Sequence, residues 1–263
     1  MNADTSRPVA VVTGAARGIG KAIARWFLAR GQRVALIDID LHTLNECAEE
    51  LGAEHGERVL AIHGDVSDST AVQAAMARVD QAFGRIDALV NNAGVAVFKP
   101  AADTSYEEWR FVMATNLDGP FLCSQAALPL LRRAGGGSIV HIASISGLRA
   151  STLRVAYGTS KAALIHLAKQ QAVEWAAYGV RVNAIAPGPV ETAMARQVHT
   201  PEIRADYHDT VPLARYGLEQ EIAAAVGFLC TPDAGYVTGQ VLAVDGGFDA
   251  AGVGLPAFRR FVG

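Results

Sequence analysis

The sequence predicts an α/β fold in which helices cover both faces of a parallel sheet. Three observations carry that prediction. Short β-branched runs alternate with longer amphipathic stretches almost from end to end. The first run, Pro8 to Thr13 (PVAVVT), is apolar nearly throughout, as expected of a strand covered on both sides. No composition shift, linker or internal repeat divides the 263 residues, so one domain is expected over 1–263.

The elements follow in order. After the first strand, Gly18 to Arg30 sets Ile19, Ile23, Trp26 and Phe27 at helical spacing, and Gly31 ends that helix. Arg33 to Asp38 (RVALID) reads as the second strand and Leu41 to Glu54 as the next helix. Val59 to His63 is the third strand, followed by a helix from Ser67 to Phe83. Asp87 to Asn91 is the fourth, with a long helical region from Ser105 to Arg133. Gly135 to Gly137 breaks that region, and Ser138 to Ala143 (SIVHIA) is the fifth strand. Val155 to Tyr178 is a long helix rich in Ala, Leu and Ile, and Val180 to Ala186 is the sixth strand. An irregular segment from Pro187 to Leu218 precedes a helix from Glu219 to Leu229 and a last strand from Val241 to Val244. Strands alternating with helices of this length mean βαβ units with right-handed crossovers, hence a Rossmann-like doubly wound sheet.

Composition excludes several classes. With 51% hydrophobic residues and a net charge of -3, the chain is globular rather than disordered. No Lys/Arg cluster stands ready for nucleic acid, and no run approaches the ~18 apolar residues of a membrane span. Cys47, Cys123 and Cys230 are widely spaced and outside any CxxC pair, so they read as small buried hydrophobes. The polar start, Met1 to Pro8, lacks the apolar stretch of a signal peptide. A cytoplasmic location is expected. The seven histidines show no ligand-like pairing, so no metal is expected.

Thr13 to Gly20 (TGAARGIG) joins the first strand to the first helix. Glycines let backbone approach a ligand, and a helix start offers unpaired N–H groups to a pyrophosphate. The spacing is GxxxGxG, which matches the usual GxGxxG fingerprint only in placement. Asp38 closes the second strand 24 residues after Gly14, where it can accept from an adenosine ribose and repel a 2′-phosphate. Its competing role is a cap for the next helix. Ile39 follows it, and Arg17 is the one cation near enough to weaken a preference for NAD over NADP. Asp65-Val66, directly after the third strand, suits an adenine amino group and ring face, or a helix cap.

Tyr157 and Lys161 are four apart at the start of a long helix and share a face. An ammonium beside a phenol stabilises phenolate, lowering a pKa ordinarily about 10, so this Tyr can exchange a proton with an alcohol or ketone oxygen. Ser144 closes the fifth strand at the edge where doubly wound sheets bind ligands, with Ser146 a nearby competitor for holding the substrate oxygen. Asn91 to Gly94 (NNAG) ends the fourth strand at the same edge. Asn116 lies within the long helical region, where Asn is a mediocre helix former.

Together, TGAARGIG, NNAG, Asn116, Ser144, Tyr157 with Lys161, and Pro187-Gly188 with Thr192 resemble the short-chain dehydrogenase/reductase family, in its order and spacing from Pro8 to Phe248. The TGxxxGxG form resembles its single-domain branch. The resemblance implies Tyr157 as general acid/base and Lys161 as the group that lowers its pKa and binds the nicotinamide ribose. It implies Ser144 orienting the substrate oxygen and Asn116 holding a water that links Lys161 to solvent. Gly14, Arg17, Gly18, Ile19 and Gly20 would line the pyrophosphate loop. Asp38 would take the adenosine ribose, Asp65 and Val66 the adenine, and Asn92 and Gly94 the middle of the cofactor. Pro187, Gly188, Val190 and Thr192 would flank the nicotinamide. A homotetramer built through two long helices is likewise implied, as is a substrate lid over 187–218.

Three functions are in competition. The first is an NAD-dependent oxidoreductase acting on a small secondary alcohol, polyol or hydroxylated ring. The second is a 3-oxoacyl thioester reductase, whose NADPH preference conflicts with Asp38. The third is a dinucleotide-sensing protein without turnover. Val95, Phe98, Ser146 and Leu148 are candidate walls for the small-molecule substrate. A tail over 249–263, with Leu255, Phe258, Arg259, Arg260 and Phe261, is expected to pack on a neighbouring subunit.

Overall fold

The computed structural model describes residues 7–252 and Pro256. Seven strands form one parallel sheet in the order β3-β2-β1-β4-β5-β6-β7. They are β1 (Val9–Thr13), β2 (Arg33–Asp38), β3 (Val59–His63), β4 (Ala88–Asn91), β5 (Gly137–Ile142), β6 (Val180–Pro187) and β7 (Val241–Val244). The chain adds β2 and β3 on one side of β1, then returns to add the rest on the other. The reversal between β1 and β4, paired at Val12 and Val90, opens a crevice at their carboxyl ends.

Side chains of β1 alternate between two cores, as the strand period of two requires. Val9 and Val11 face one core, with α3 (Ser69–Phe83), α5 (Gly119–Arg133) and α6 (Val155–Trp175). Ala10 and Val12 face the other, with α1 (Gly18–Leu28), α2 (Leu41–His55) and α9 (Glu219–Cys230). Helices α1 and α9 pack closely because Gly227 has no side chain: a Cβ there would run into the Trp26 ring.

Three expectations change. The third helix starts at Ser69, not Ser67, because the Asp68 carboxylate accepts from Thr70 N at 2.7 Å and caps it there. The helical region after β4 is not continuous. α4 (Tyr106–Met113) passes through a π turn (Ala114–Asp118) into α5. The segment over 187–218 is more regular than expected, holding α7 (Ala193–Val198) and α8 (Pro201–Thr210). Thr192 and Thr200 cap them, and Pro201 occupies the first turn of α8, a start signal present in the sequence. The expected tail contact through Leu255, Phe258 and Phe261 lies outside the described residues.

Candidate active site

The loop between β1 and α1 is held by the end of β4. Thr13 Oγ1 accepts from Asn92 N at 3.0 Å and Ala93 N at 3.1 Å. The Asn92 amide donates to Thr13 O at 3.0 Å and Gly14 O at 2.9 Å. Gly14 has φ +61°, and a Cβ on it would stand 2.8 Å from Ala93 Cα. A Cβ on Gly20 would run into Gly14 O. These glycines therefore serve the close crossing of two strand ends. Gly18 differs: its φ is +59°, but a Cβ would meet only Glu219 Oε1 at 3.7 Å, so the space beside it is open.

This arrangement fits a pyrophosphate. Helix α1 begins at Arg17 with no side-chain cap and no acid in its first turn, leaving its first N–H groups for an anion. Ile19 and Gly20 belong to that turn. Arg17 itself leans outward onto Asp40, 3.2 Å away. Asp40, not Asp38, caps α2 through Thr43 N at 3.1 Å, which removes the competing role weighed for Asp38. The Asp38 carboxylate is instead fixed at the strand end, accepting from Ala16 N and Asp40 N at 3.0 Å each. Asp65 accepts from Ser67 N at 2.8 Å and Ser67 Oγ at 2.7 Å in a local turn, while Val66 is buried under Gly119.

The residues the sequence marks for catalysis gather across the crevice. Ser144 follows β5, and its Oγ accepts from Ser146 N at 3.1 Å and hydrogen-bonds the Tyr157 hydroxyl. Ser146 is diverted to the Ser151 hydroxyl at 3.1 Å, so Ser144 is the serine that faces the phenol. Burial pushes the Tyr157 pKa up, and the Ser144 hydrogen bond and the Arg154 charge pull against it. Lys161 is buried, and desolvation lowers its pKa to about 8. Its Nζ donates to Ile142 O at 2.7 Å and lies 5.7 Å from the Tyr157 ring centroid. The ammonium thus stands on the phenol's side of the helix while it donates to a strand carbonyl.

Gly94 brings this group to the end of β4. A Cβ there would stand 3.3 Å from Asn116 Oδ1 and 3.4 Å from Lys161 Nζ. Asn116, wholly buried in the π turn, accepts from Val95 N at 2.8 Å and donates to Val95 O at 2.9 Å and Ser160 Oγ at 3.0 Å. Its side chain is fully committed, so any water it holds would sit on its backbone, which the π turn loosens. Asn91 turns into the core, toward Ser124 and His141.

From β6 the chain crosses the mouth. Pro187 ends the strand, and Gly188 N donates to Val244 O at 3.1 Å. Val190 is buried and bridges to Gly217, and Thr192 accepts from Ala195 N at 3.1 Å. Sequence reasoning missed Thr13, Ser160, Arg154 and Tyr207. Thr13 opens the glycine motif and Arg154 precedes Tyr157 by three residues, so both had a positional signal. Among the described residues no three His, Cys, Asp or Glu gather as metal ligands would.

The family model described as enoyl-(acyl carrier protein) reductase matches residues 14–249. The chain is 43% identical to 2-(R)-hydroxypropyl-CoM dehydrogenase of Xanthobacter autotrophicus over 92% of its own length and 98% of the relative's. It is 44% identical to the L-tagatose-forming galactitol 2-dehydrogenase of Cereibacter sphaeroides, covering 91% and 94%. A short-chain type dehydrogenase/reductase from Mycobacterium ulcerans superposes with a TM-score of 0.89 at 31% identity, covering 92% of this chain and 90% of that one. With that fold, a phenol and lysine on one helix, and these relatives, the chain belongs to the short-chain dehydrogenase/reductase family of oxidoreductases.

Proposed function

We propose that the chain interconverts a secondary alcohol and its ketone with NAD(H), acting on a small alcohol, polyol or hydroxylated ring. The observation that carries this reading is the Ser144–Tyr157 hydroxyl pair, set across the sheet crevice from an uncapped α1. The nicotinamide, when bound, supplies the hydride acceptor or donor. Tyr157 Oη takes the alcohol proton as the carbon loses hydride, and returns it in the reverse direction. Ser144 Oγ holds the reacting oxygen. Lys161 would hold the nicotinamide ribose and, with the backbone of Asn116, would pass the proton outward.

Gly14, Arg17, Gly18, Ile19 and Gly20 shape the pyrophosphate turn. Asp38 would hold the adenosine ribose, with Asp65 and Val66 at the adenine. Asn92 and Gly94 position the cofactor's centre by fixing the loop, and Pro187, Gly188, Val190 and Thr192 border the nicotinamide. Asp38 favours NAD over NADP, because its fixed carboxylate repels a 2′-phosphate and the nearby Arg17 is held by Asp40. The segment over 187–218 acts as the substrate lid. Exposed Phe111, Phe121, Val173 and Tyr178 on the helices after β4 and β5 support a homotetramer. Three free cysteines support a reducing, cytoplasmic location, and among the described residues no helix is long and apolar enough to cross a membrane.

Initial rates with NAD, NADP and their reduced forms, across alcohols, polyols, hydroxysteroids and 3-oxoacyl thioesters, test the reading. NAD-linked turnover of one alcohol class, lost in Tyr157→Phe, is expected. NADPH-linked thioester reduction would replace it with the reductase reading. Cofactor binding without any turnover would favour a sensor. Light scattering of the purified chain checks the assembly.

A further inference from the structure

Among the described residues, one arginine at the mouth of the site stands without an acid. Arg149 pairs with Asp249 at 2.8 Å and Arg215 with Glu221 at 2.6 Å. Glu191 takes Arg204 at 2.5 Å and Arg196 at 3.7 Å. Arg154 has no carboxylate partner among the described residues. Its Nη1 donates to the Tyr207 hydroxyl at 3.1 Å, and its guanidinium carbon stands 5.2 Å from the Phe98 ring centroid. A guanidinium carries five N–H donors in a planar fork, and here one is used.

Position places this open fork beside the chemistry. Arg154 precedes Tyr157 by three residues, a spacing that sets Cβ atoms about 5–6 Å apart on a helix. Tyr207 stacks on His199 with centroids 5.3 Å apart and meets Tyr216 at 5.8 Å, so an aromatic wall from the lid borders the guanidinium. The Arg154 charge acts on Tyr157, His199 and Tyr216 alike, as groups sharing one space would require.

Local structure gives no reason for an arginine here. Arg154 occupies the N-cap of α6, where it accepts no hydrogen bond and where a cation opposes the helix dipole. No acid in the first turn offsets it, and Leu153 before it is held at φ +62°, a conformation L residues rarely adopt. A locally unfavourable choice beside the reacting tyrosine is what a binding role leaves in a sequence.

We infer that Arg154 sets substrate specificity: the secondary alcohol carries an anionic group, a carboxylate, sulfonate or phosphate, a short way along its chain from the carbinol carbon. The open fork of Arg154 receives that group, with the Tyr207 hydroxyl beside it. Glu191 neutralises Arg196 and Arg204, and Glu221 neutralises Arg215, so the counter-charge lies at the start of α6. This assignment rests on the reading of Tyr157 as the proton acceptor.

A matched pair tests it. 3-Hydroxybutyrate and its neutral amide are titrated calorimetrically into the NAD-loaded protein, and kcat/KM is measured for both. The carboxylate is expected to win by about ten- to a hundredfold in the wild type, the range of one charge-assisted hydrogen bond. In Arg154→Asn that ratio collapses toward one, and Arg154→Lys restores part of it. Asn is a good N-cap, so the collapse cannot be ascribed to a lost helix start. Competition by propanesulfonate and propyl phosphate identifies the preferred anion. A wild type indifferent to the charge, or an Arg154→Asn protein that keeps the ratio, overturns the inference. So does the absence of Arg154-dependent binding for all three anions. If the carboxylate binds through Arg154 but neither alcohol is oxidised, the anion site stands and the alcohol reading falls.

Discussion

Seven of the nine α-helices among the described residues begin in one of two ways. α2, α3, α4, α7 and α8 start on Asp40, Asp68, Ser105, Thr192 and Thr200, whose side chains accept first-turn N–H groups. α1 and α6 start on arginines, Arg17 and Arg154, which accept none, and neither has an acid in its first turn. A cap is worth about 1 kcal/mol, so both helices forgo stability that their neighbours keep. The two lie at the carboxyl edge of the sheet, one after β1 and one before the tyrosine. The difference separates helices whose first N–H groups are satisfied by their own side chains from helices whose open ends are available to an anionic ligand.

The largest break in that comparison comes from the chemistry at the start of α6. Tyr157→Phe removes the proposed proton acceptor and should lower kcat by about 10²–10⁴-fold, with unchanged calorimetric affinity for the dinucleotide. Lys161→Met is expected to act in opposite directions on stability and activity. Burial brings the folded Lys161 pKa from 10.5 down to about 8, a displacement worth about 3 kcal/mol against folding. Below about pH 8 both states are protonated and the full penalty is present. Between about 8 and 10.5 the unfolded chain binds more protons, so the penalty shrinks as pH rises, until the raised Tyr157 pKa opposes it near pH 10. Denaturant melts of the cofactor-free protein should therefore show Lys161→Met more stable at pH 7 than the wild type, with a smaller gain at pH 9.5, and no turnover. A variant less stable at both pH values would mean that the bond to Ile142 O outweighs desolvation.

Legibility in the sequence followed the same division. Every strand was readable because continuous apolar runs such as Val9–Thr13 and Val180–Pro187 have few alternatives in a sheet covered on both faces. The irregular reading of 187–218 failed on weak hydrophobic periodicity, although Thr200-Pro201 marks a helix start. The π turn was hidden because residues 105–133 are helical on either side, and only Asn116, mediocre in a helix, hinted at the break. Within the site, residue types were legible but their partners were not. Nothing in the spacing of Tyr157 and Lys161 says that the lysine turns to Ile142 O, since that carbonyl comes from a strand 19 residues earlier. Arg154 was passed over because an arginine at a helix start reads as a surface charge until Tyr207 is seen beside it.

The smaller predictions exchange the two kinds of helix start. Arg17→Asp gives α1 the cap and the negative charge that α2 and α3 already have, so stability should rise by about 1 kcal/mol. The same carboxylate would stand where a pyrophosphate must lie, and the affinity for NAD should fall by at least about tenfold. Asp68→Ala does the reverse on a supporting helix. The Thr70 and Ala71 N–H groups lose their acceptor, costing about 1 kcal/mol in a denaturant melt, while affinity for NAD and turnover stay as they are. The pair separates the effects of a cap from those of a site. If Asp68→Ala weakened NAD binding as much as Arg17→Asp, the contrast between helix ends would reduce to general stability. If Arg17→Asp left affinity intact, the open start of α1 would not be where the dinucleotide is held.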